Sequence, residues 1–254
     1  MAKYKFDFTP ENIRKIEYIL PKLKYSSYIG NIVKWLQNFD ENEVEHAIDF
    51  LMFFEYITMN ELQQRLAEQL SILNNSVASD HKILLIPFTK YPKSNDIIAY
   101  LISKTRSFQD MQNRGRIGIN RNFENFNYEQ NTVMVFIDDF IGTGDSFVKA
   151  YDERKIDDFI NSNDLISKKI FLLAAIVMNK GKEMLTTKIP ALTILAELRY
   201  NNFCAKNSPF LISRGPQEMK ALAVKYGEKI VIVKRGEKEI FYPLGYGDYN
   251  TPLN

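Results

Sequence analysis

The sequence predicts an α/β protein, a parallel sheet covered by helices with a helical extension at its N-terminal end. Three patterns carry that expectation. Short, continuously apolar runs, suited to strands buried on both faces, recur from residue 83 onward. Helical patterns separate these runs, and that alternation builds parallel sheets. Before about residue 75 the apolar spacing is helical throughout. The predicted organisation is a helical extension over residues 1–78 and an α/β domain over 79–254.

The helical lead divides at its own start signals. Thr9-Pro10-Glu11 opens a first helix, with proline at its first position, and Ile13, Ile16 and Leu20 share a face. Ser26 or Ser27 is placed to cap a second, striped by Ile29, Ile32, Val33 and Leu36. Asp40 with Glu43 has the spacing of a capping box ahead of Val44, Ala47, Ile48 and Leu51. Thr58 with Glu61 repeats it ahead of Leu62, Leu66, Leu70 and Leu73. These stripes, and Trp35, are read as core.

From His81 the period changes. A strand is predicted over 83–88, a helix over 95–104, and further strands over 133–137, 169–178 and 192–198. Near the C-terminus, 230–234 and 239–242 flank Arg235-Gly236-Glu237-Lys238 and read as a hairpin, followed by an irregular, glycine-rich PLGYGDYNTPLN.

The stretch TVMVFIDDFIGTGDS, residues 132–146, carries the chemistry. Its apolar run ends in Asp138 and Asp139. A turn follows in which Gly142 and Gly144 let backbone approach a ligand closely. Amides at the start of the next helix favour an anion such as phosphate, and Thr143 and Ser146 add hydroxyl donors. One loop thus offers an anion cradle beside two carboxylates, which suits a ligand bearing phosphate and sugar hydroxyls. Other chemistries find no support. A paired-acid nucleotide strand needs a G-x-x-x-x-G-K-[ST] loop, which is absent. A serine triad needs a histidine, and His46 and His81 both precede the strand, in a helix and a loop.

Composition narrows the class. Charged residues make up 25% of the 254 positions and the net charge is +2, so no global basic field points to nucleic acid. A single cysteine, Cys204, excludes an intramolecular disulfide framework and a Cys-rich zinc site, and with two distant histidines it argues against a structural metal site. No apolar run approaches the roughly 20 residues that cross a membrane. The opening MAKYKFDFTPEN lacks the apolar core of a signal peptide, and a cytoplasmic location is expected.

VFIDDFIGTGDS resembles the PRPP-binding motif of type I phosphoribosyltransferases, an apolar strand, two acids, three variable residues and a Thr-Gly-x-Thr/Ser loop. The resemblance implies a parallel-sheet type I phosphoribosyltransferase-like core. Asp138 and Asp139 would hold the ribose hydroxyls of phosphoribosyl pyrophosphate (PRPP). Ile141, Gly142, Thr143, Gly144, Asp145 and Ser146 would hold its 5′-phosphate, with Mg²⁺ as the accompanying cation. The family's pyrophosphate loop falls on residues 89–95, where Lys93, Ser94 and the following amides would act; an exposed basic loop is the alternative. Its mobile lid falls on 106–130, with Arg114, Arg116 and Arg121 as candidate cations.

The helical lead with WLQNF and AIDFLMFFEYIT, the motif strand and the ending PLGYGD resemble a divergent branch of that superfamily found in bacterial conflict, antiphage and retron-like systems. That resemblance implies a transferase acting on a nucleotide or nucleic-acid acceptor, or removing phosphoribose from one, with a regulatory protein partner or a second copy of the chain. A non-catalytic PRPP or nucleotide sensor is the alternative. The helical lead either packs on the core or docks the partner, with Phe53, Phe54 and Tyr56 as candidate surface.

Overall fold

The structure is a computed structural model of the chain. It describes residues 7, 9–24, 26–88, 94–123, 129, 131–162, 170–199, 215–228, 232–235 and 238–241. In chain order its elements are α1 (Pro10–Lys22), α2 (Ile29–Leu36), a 3₁₀ turn (Glu41–Glu43), α3 (Val44–Phe53), α4 (Met59–Ser76), β1 (Lys82–Pro87), α5 (Ser94–Ser103), α6 (Arg106–Asn113) and β2 (Ile117–Ile119). There follow β3 (Thr132–Ile141), α7 (Asp145–Glu153), α8 (Ile156–Ser162), β4 (Ile170–Met178), α9 (Asn179–Lys188), β5 (Leu192–Arg199), α10 (Pro216–Gly227), β6 (Ile232–Arg235) and β7 (Lys238–Phe241). They form two compact units, Met59–Tyr200 and Met1–Thr58 with Asn201–Asn254.

The first of these units is the α/β core. Its five strands run parallel in the order β2-β1-β3-β4-β5. Strands β3 and β4 are covered on both faces, so nearly every residue along them is apolar and buried. Leu84, Ile86, Met134, Phe136, Leu172 and Ala174 join Phe147, Tyr151, Ile156, Ile160 and Leu185 of α7, α8 and α9 in one cluster. The opposite face meets α4 and α5. The chain steps from β1 outward to β2, then crosses back to β3 and continues through β4 to β5. The order therefore reverses between β1 and β3, and the crevice beyond their C-terminal ends is where such sheets bind ligands.

The expected boundary near residue 78 is not where the units divide. Helix α4 buries Leu66, Gln69, Leu70 and Leu73 and packs on β4 and β5. The stretch expected to be a polar lid contains α6 and β2. Thr105 caps α6 by accepting the Phe108 N–H at 3.2 Å, and Phe108 and Met111 are buried three residues apart. The helix expected after the motif is two, α7 and α8, separated at Lys155, whose φ is 48°.

In the other unit α1 starts as expected, with the Thr9 hydroxyl accepting the Asn12 N–H at 3.2 Å. Helix α2 has Tyr28 at its N-cap, not Ser26 or Ser27. Asp40 and Glu43 form no capping box. Each accepts from Lys225 Nζ at 2.7 Å, and Glu43 also accepts from the Tyr226 hydroxyl, so their carboxylates tie down α10. Helix α10 was not expected. Pro216 occupies its first turn, and Leu222 and Tyr226 bury with Ile16, Ile19, Leu36 and Ile48. Trp35 packs on that cluster, edge-on to Phe39 at 4.6 Å. Phe54 packs there too and Tyr56 is exposed, while the Phe53 side chain lies outside the described residues. Strands β6 and β7 pair antiparallel as the expected hairpin, and the tail from 242 lies outside the described residues. Among the described residues no helix is long and apolar enough to cross a membrane.

Candidate functional site

Strand β3 runs four residues past the expected end at Ile137, so Asp138 and Asp139 lie within the strand rather than in a turn. Alternation breaks at this point. Phe136 and Ile141 both face the α7–α9 cluster although five positions apart, and on β4 so do Ala174 and Val177, three apart. A strand that kept its period of two would place only residues of like parity on one face. The β4–β5 register shifts between Leu173 and Ile176, while Asp138 stays opposite Ala174 and Phe140 opposite Ile176. An irregularity thus runs through both strands at the level of the acids, a device that re-aims side chains beside functional sites.

The acids are held by the backbone. Asp138 Oδ1 accepts the Asp139 N–H and Asp139 Oδ1 accepts the Phe140 N–H, each at 2.9 Å. Burial, followed by the hydrogen bond and charge of Asp139, pushes the Asp138 carboxyl well above the ordinary carboxylate range. The pair therefore offers one carboxyl that holds its proton more tightly than an ordinary aspartate, beside a second acid. Together they are suited to a vicinal diol, which needs acceptors for two hydroxyls and has oxygens that accept in turn.

Next to the pair stands the loop. Gly144 has φ +84°, a conformation that admits glycine readily. Its N–H groups and those of the first turn of α7 have no intrahelical partners. Phe147 fixes that turn against the sheet, 4.8 Å from Phe88 and 5.7 Å from Phe136. Thr143 is buried and Ser146 exposed.

An acid pair near the C-terminal end of strand β3 and a glycine-containing loop that opens α7 thus lie side by side at the reversal point of a parallel sheet. The PRTase-CE family model matches residues 32–253. The chain belongs to the PRTase-CE family. This makes it a phosphoribosyltransferase-type protein by family. No curated protein matches it. Among solved structures, a protein from Aquifex aeolicus (AQ2163) is 14% identical with a TM-score of 0.35, over 56% of this chain and 76% of that one. The hypoxanthine-guanine phosphoribosyltransferase of Schistosoma mansoni, in complex with IMP, is 14% identical with a TM-score of 0.31, over 57% and 67%.

In this PRTase-CE chain the other expected site residues are dispersed. Lys93 lies outside the described residues, and Ser94 is the first residue of α5 at the β1 side of the crevice. Arg121 follows β2 at the C-terminal end of the sheet and pairs with Asp96 in the first turn of α5. Arg114 and Arg116 lie before β2, at the opposite end from the acids. Arg116 donates to the carbonyls of Val77 and Ala78 at 2.8 Å and of His81 at 3.2 Å, and to Asn74. Those bonds close the C-terminus of α4 and the turn into β1. A cavity of about 230 Å³ lined by Lys82, Arg116, Glu129 and Thr132 opens at that same opposite end.

Two residues that shape the site were not assigned a role from sequence. Asn95, 1% exposed, donates its side-chain amide to the Ile137 carbonyl at 3.1 Å and ties α5 to β3 immediately before the acids. Gly181 on α9 abuts the loop. A Cβ there would stand 2.7 Å from the Gly142 carbonyl oxygen and 2.9 Å from Ile141 Cγ2. A lone glycine inside a helical pattern is a signal for such close packing. Asn95, at the edge of the expected pyrophosphate loop, gives no comparable signal.

Proposed function

We propose that this PRTase-CE chain binds PRPP together with Mg²⁺ and transfers phosphoribose to, or removes it from, a nucleotide or nucleic-acid acceptor. The observation that carries the reading is the Asp138–Asp139 pair at the sheet's reversal point with the Gly142–Ser146 loop directly after it. Asp138 and Asp139 hold the ribose 2′ and 3′ hydroxyls. The amides of Gly144, Asp145 and Ser146, with the Thr143 and Ser146 hydroxyls, hold the 5′-phosphate. Bond breaking at C1 leaves the ribose electron-poor and gathers negative charge on pyrophosphate. Lys93, Ser94 and Arg121 are the groups assigned to that charge.

Mg²⁺ fits as a cation brought by the substrate. Among the described residues no group of three or more His, Cys, Asp or Glu could hold a metal alone. Two adjacent carboxylates, one displaced upward in pKa by burial and then by its neighbour, nonetheless form a hard-oxygen environment that a cation relieves. Bound with the phosphates, Mg²⁺ would neutralise charge on the departing pyrophosphate.

A defence role, with a regulatory protein partner or a second copy of the chain, rests on the resemblance of the helical lead and the GYGD ending. A second reading, a PRPP or nucleotide sensor without turnover, is favoured by Arg114 and Arg116 lying away from the acids. Cells expressing the wild type and the Asp138→Asn/Asp139→Asn variant separate the readings. Transfer predicts toxicity and gained or lost phosphoribosyl groups on nucleotides or RNA, seen by mass spectrometry, with the wild type only. Identical profiles with normal growth contradict it and favour the sensor.

A further inference from the structure

The loop that the proposed function assigns to phosphate already carries an anion of its own. Thr143 Oγ1 donates to Asp145 Oδ2 at 2.8 Å, and the Asp145 N–H returns to Thr143 Oγ1 at 3.3 Å. A hydroxyl has one proton. The buried Thr143 spends it on Asp145, and one amide of the cradle is spent on Thr143. Asp145 is also the first residue of α7, where a carboxylate gains from the positive end of the helix. Phosphate oxygens would use these same three features.

We propose that Asp145 is an internal competitor of the ligand's phosphate, and not part of its grip. In the empty loop its carboxylate holds the Thr143 hydroxyl and supports the backbone turn through Gly144. When phosphate arrives, the Thr143 proton turns to the incoming oxygen and the Asp145 side chain rotates into water. That movement is open to it, because Asp145 is exposed while Thr143 is buried. The ligand therefore replaces one anion by another, and its affinity is lower than the same loop would give with a neutral residue at 145. This reverses the role that the motif resemblance assigns to Asp145, under which its loss weakens binding.

The proposal rests on the phosphate-loop reading, and one experiment separates the two. Ribose 5-phosphate and inorganic phosphate are titrated calorimetrically into the wild type, Asp145→Asn, Asp145→Ser and the charge-retaining Asp145→Glu, with circular dichroism confirming that each is folded. Both neutral variants are expected to bind ribose 5-phosphate about threefold to tenfold more tightly than the wild type, while melting slightly lower because the helix loses its N-terminal carboxylate. Asp145→Glu, which keeps the charge, is expected to stay close to the wild type. A helix-capping role alone lowers stability without raising affinity. Equal or weaker binding by both folded neutral variants, with the wild type still binding, overturns the competitor role and leaves the phosphate site standing. If no folded form binds either probe, the phosphate site itself is overturned, and the competitor role with it.

Discussion

Replacing Gly181 by alanine tests whether α9 sets the position of the phosphate loop. The added Cβ meets the Gly142 carbonyl oxygen at 2.7 Å, Ile141 Cγ2 at 2.9 Å and the Ile141 carbonyl oxygen at 3.2 Å. Two of these contacts are backbone of the loop itself, so no rotamer change relieves them. Two effects oppose. Glycine to alanine in a helix stabilises by at most about 1 kcal/mol, and by less in a first turn such as this one. Overpacking against a fixed neighbour costs about 1–3 kcal/mol. The clash dominates at 2.7 Å, and the expected net loss is about 1–2 kcal/mol. The loop moves by several tenths of an ångström, and PRPP affinity falls about tenfold, equivalent to about 1.4 kcal/mol. Urea denaturation and calorimetric titration of the variant measure the two losses separately. A variant as stable as the wild type, or more so, with undiminished affinity would refute the account of why glycine stands at 181.

Three further outcomes follow from contacts around the site. Asn95→Ala strands a buried carbonyl at Ile137; unfolding by urea is expected to show a loss of about 1–3 kcal/mol, and ligand titration a weaker complex. Arg116→Ala removes several charge-assisted bonds at the far end of the sheet, so stability falls by about 2–3 kcal/mol while PRPP affinity stays unchanged; an equal loss of affinity would return Arg116 to the lid. Asp138 binds its proton more tightly folded than unfolded, so its contribution to stability is full below the ordinary carboxylate value of about 4 and is lost as pH rises from there through its raised folded value. Asp138→Asn is expected to flatten that decline and to melt higher than the wild type at neutral pH; parallel pH–stability curves for the two proteins would contradict this.

The strands were legible because burial on both faces leaves a run of apolar residues whatever the tertiary context, as in Ile170–Met178. The acid pair and its loop were legible because order and spacing are local. Other features depended on partners remote in sequence. Asp40 and Glu43 have the spacing of a capping box, yet Lys225 and Tyr226, more than 180 positions away, take their carboxylates. The extension of β3 through Asp138 and Asp139 depends on pairing with Ala174 and Ile176 of β4, which compensates for the poor strand propensity of aspartate. Arg116 resembled a lid cation because a polar stretch shows charge without showing which end of the sheet it reaches. Helices α6 and α10 carried signals, Thr105 before α6 and Gly215-Pro216 before α10, that a reading of their surroundings as irregular passed over.

The central claim is that Asp138, Asp139 and the loop after them form a PRPP site. Thermal unfolding with and without millimolar PRPP and Mg²⁺, for the wild type and Asp138→Asn/Asp139→Asn, tests it most directly. At a hundredfold excess over its dissociation constant, PRPP should stabilise the wild type by about 2.7 kcal/mol, a shift of several degrees. The double variant should fold and show no shift. A wild type whose midpoint is unmoved by PRPP with Mg²⁺, or a double variant that shifts as far as the wild type, would contradict the assignment.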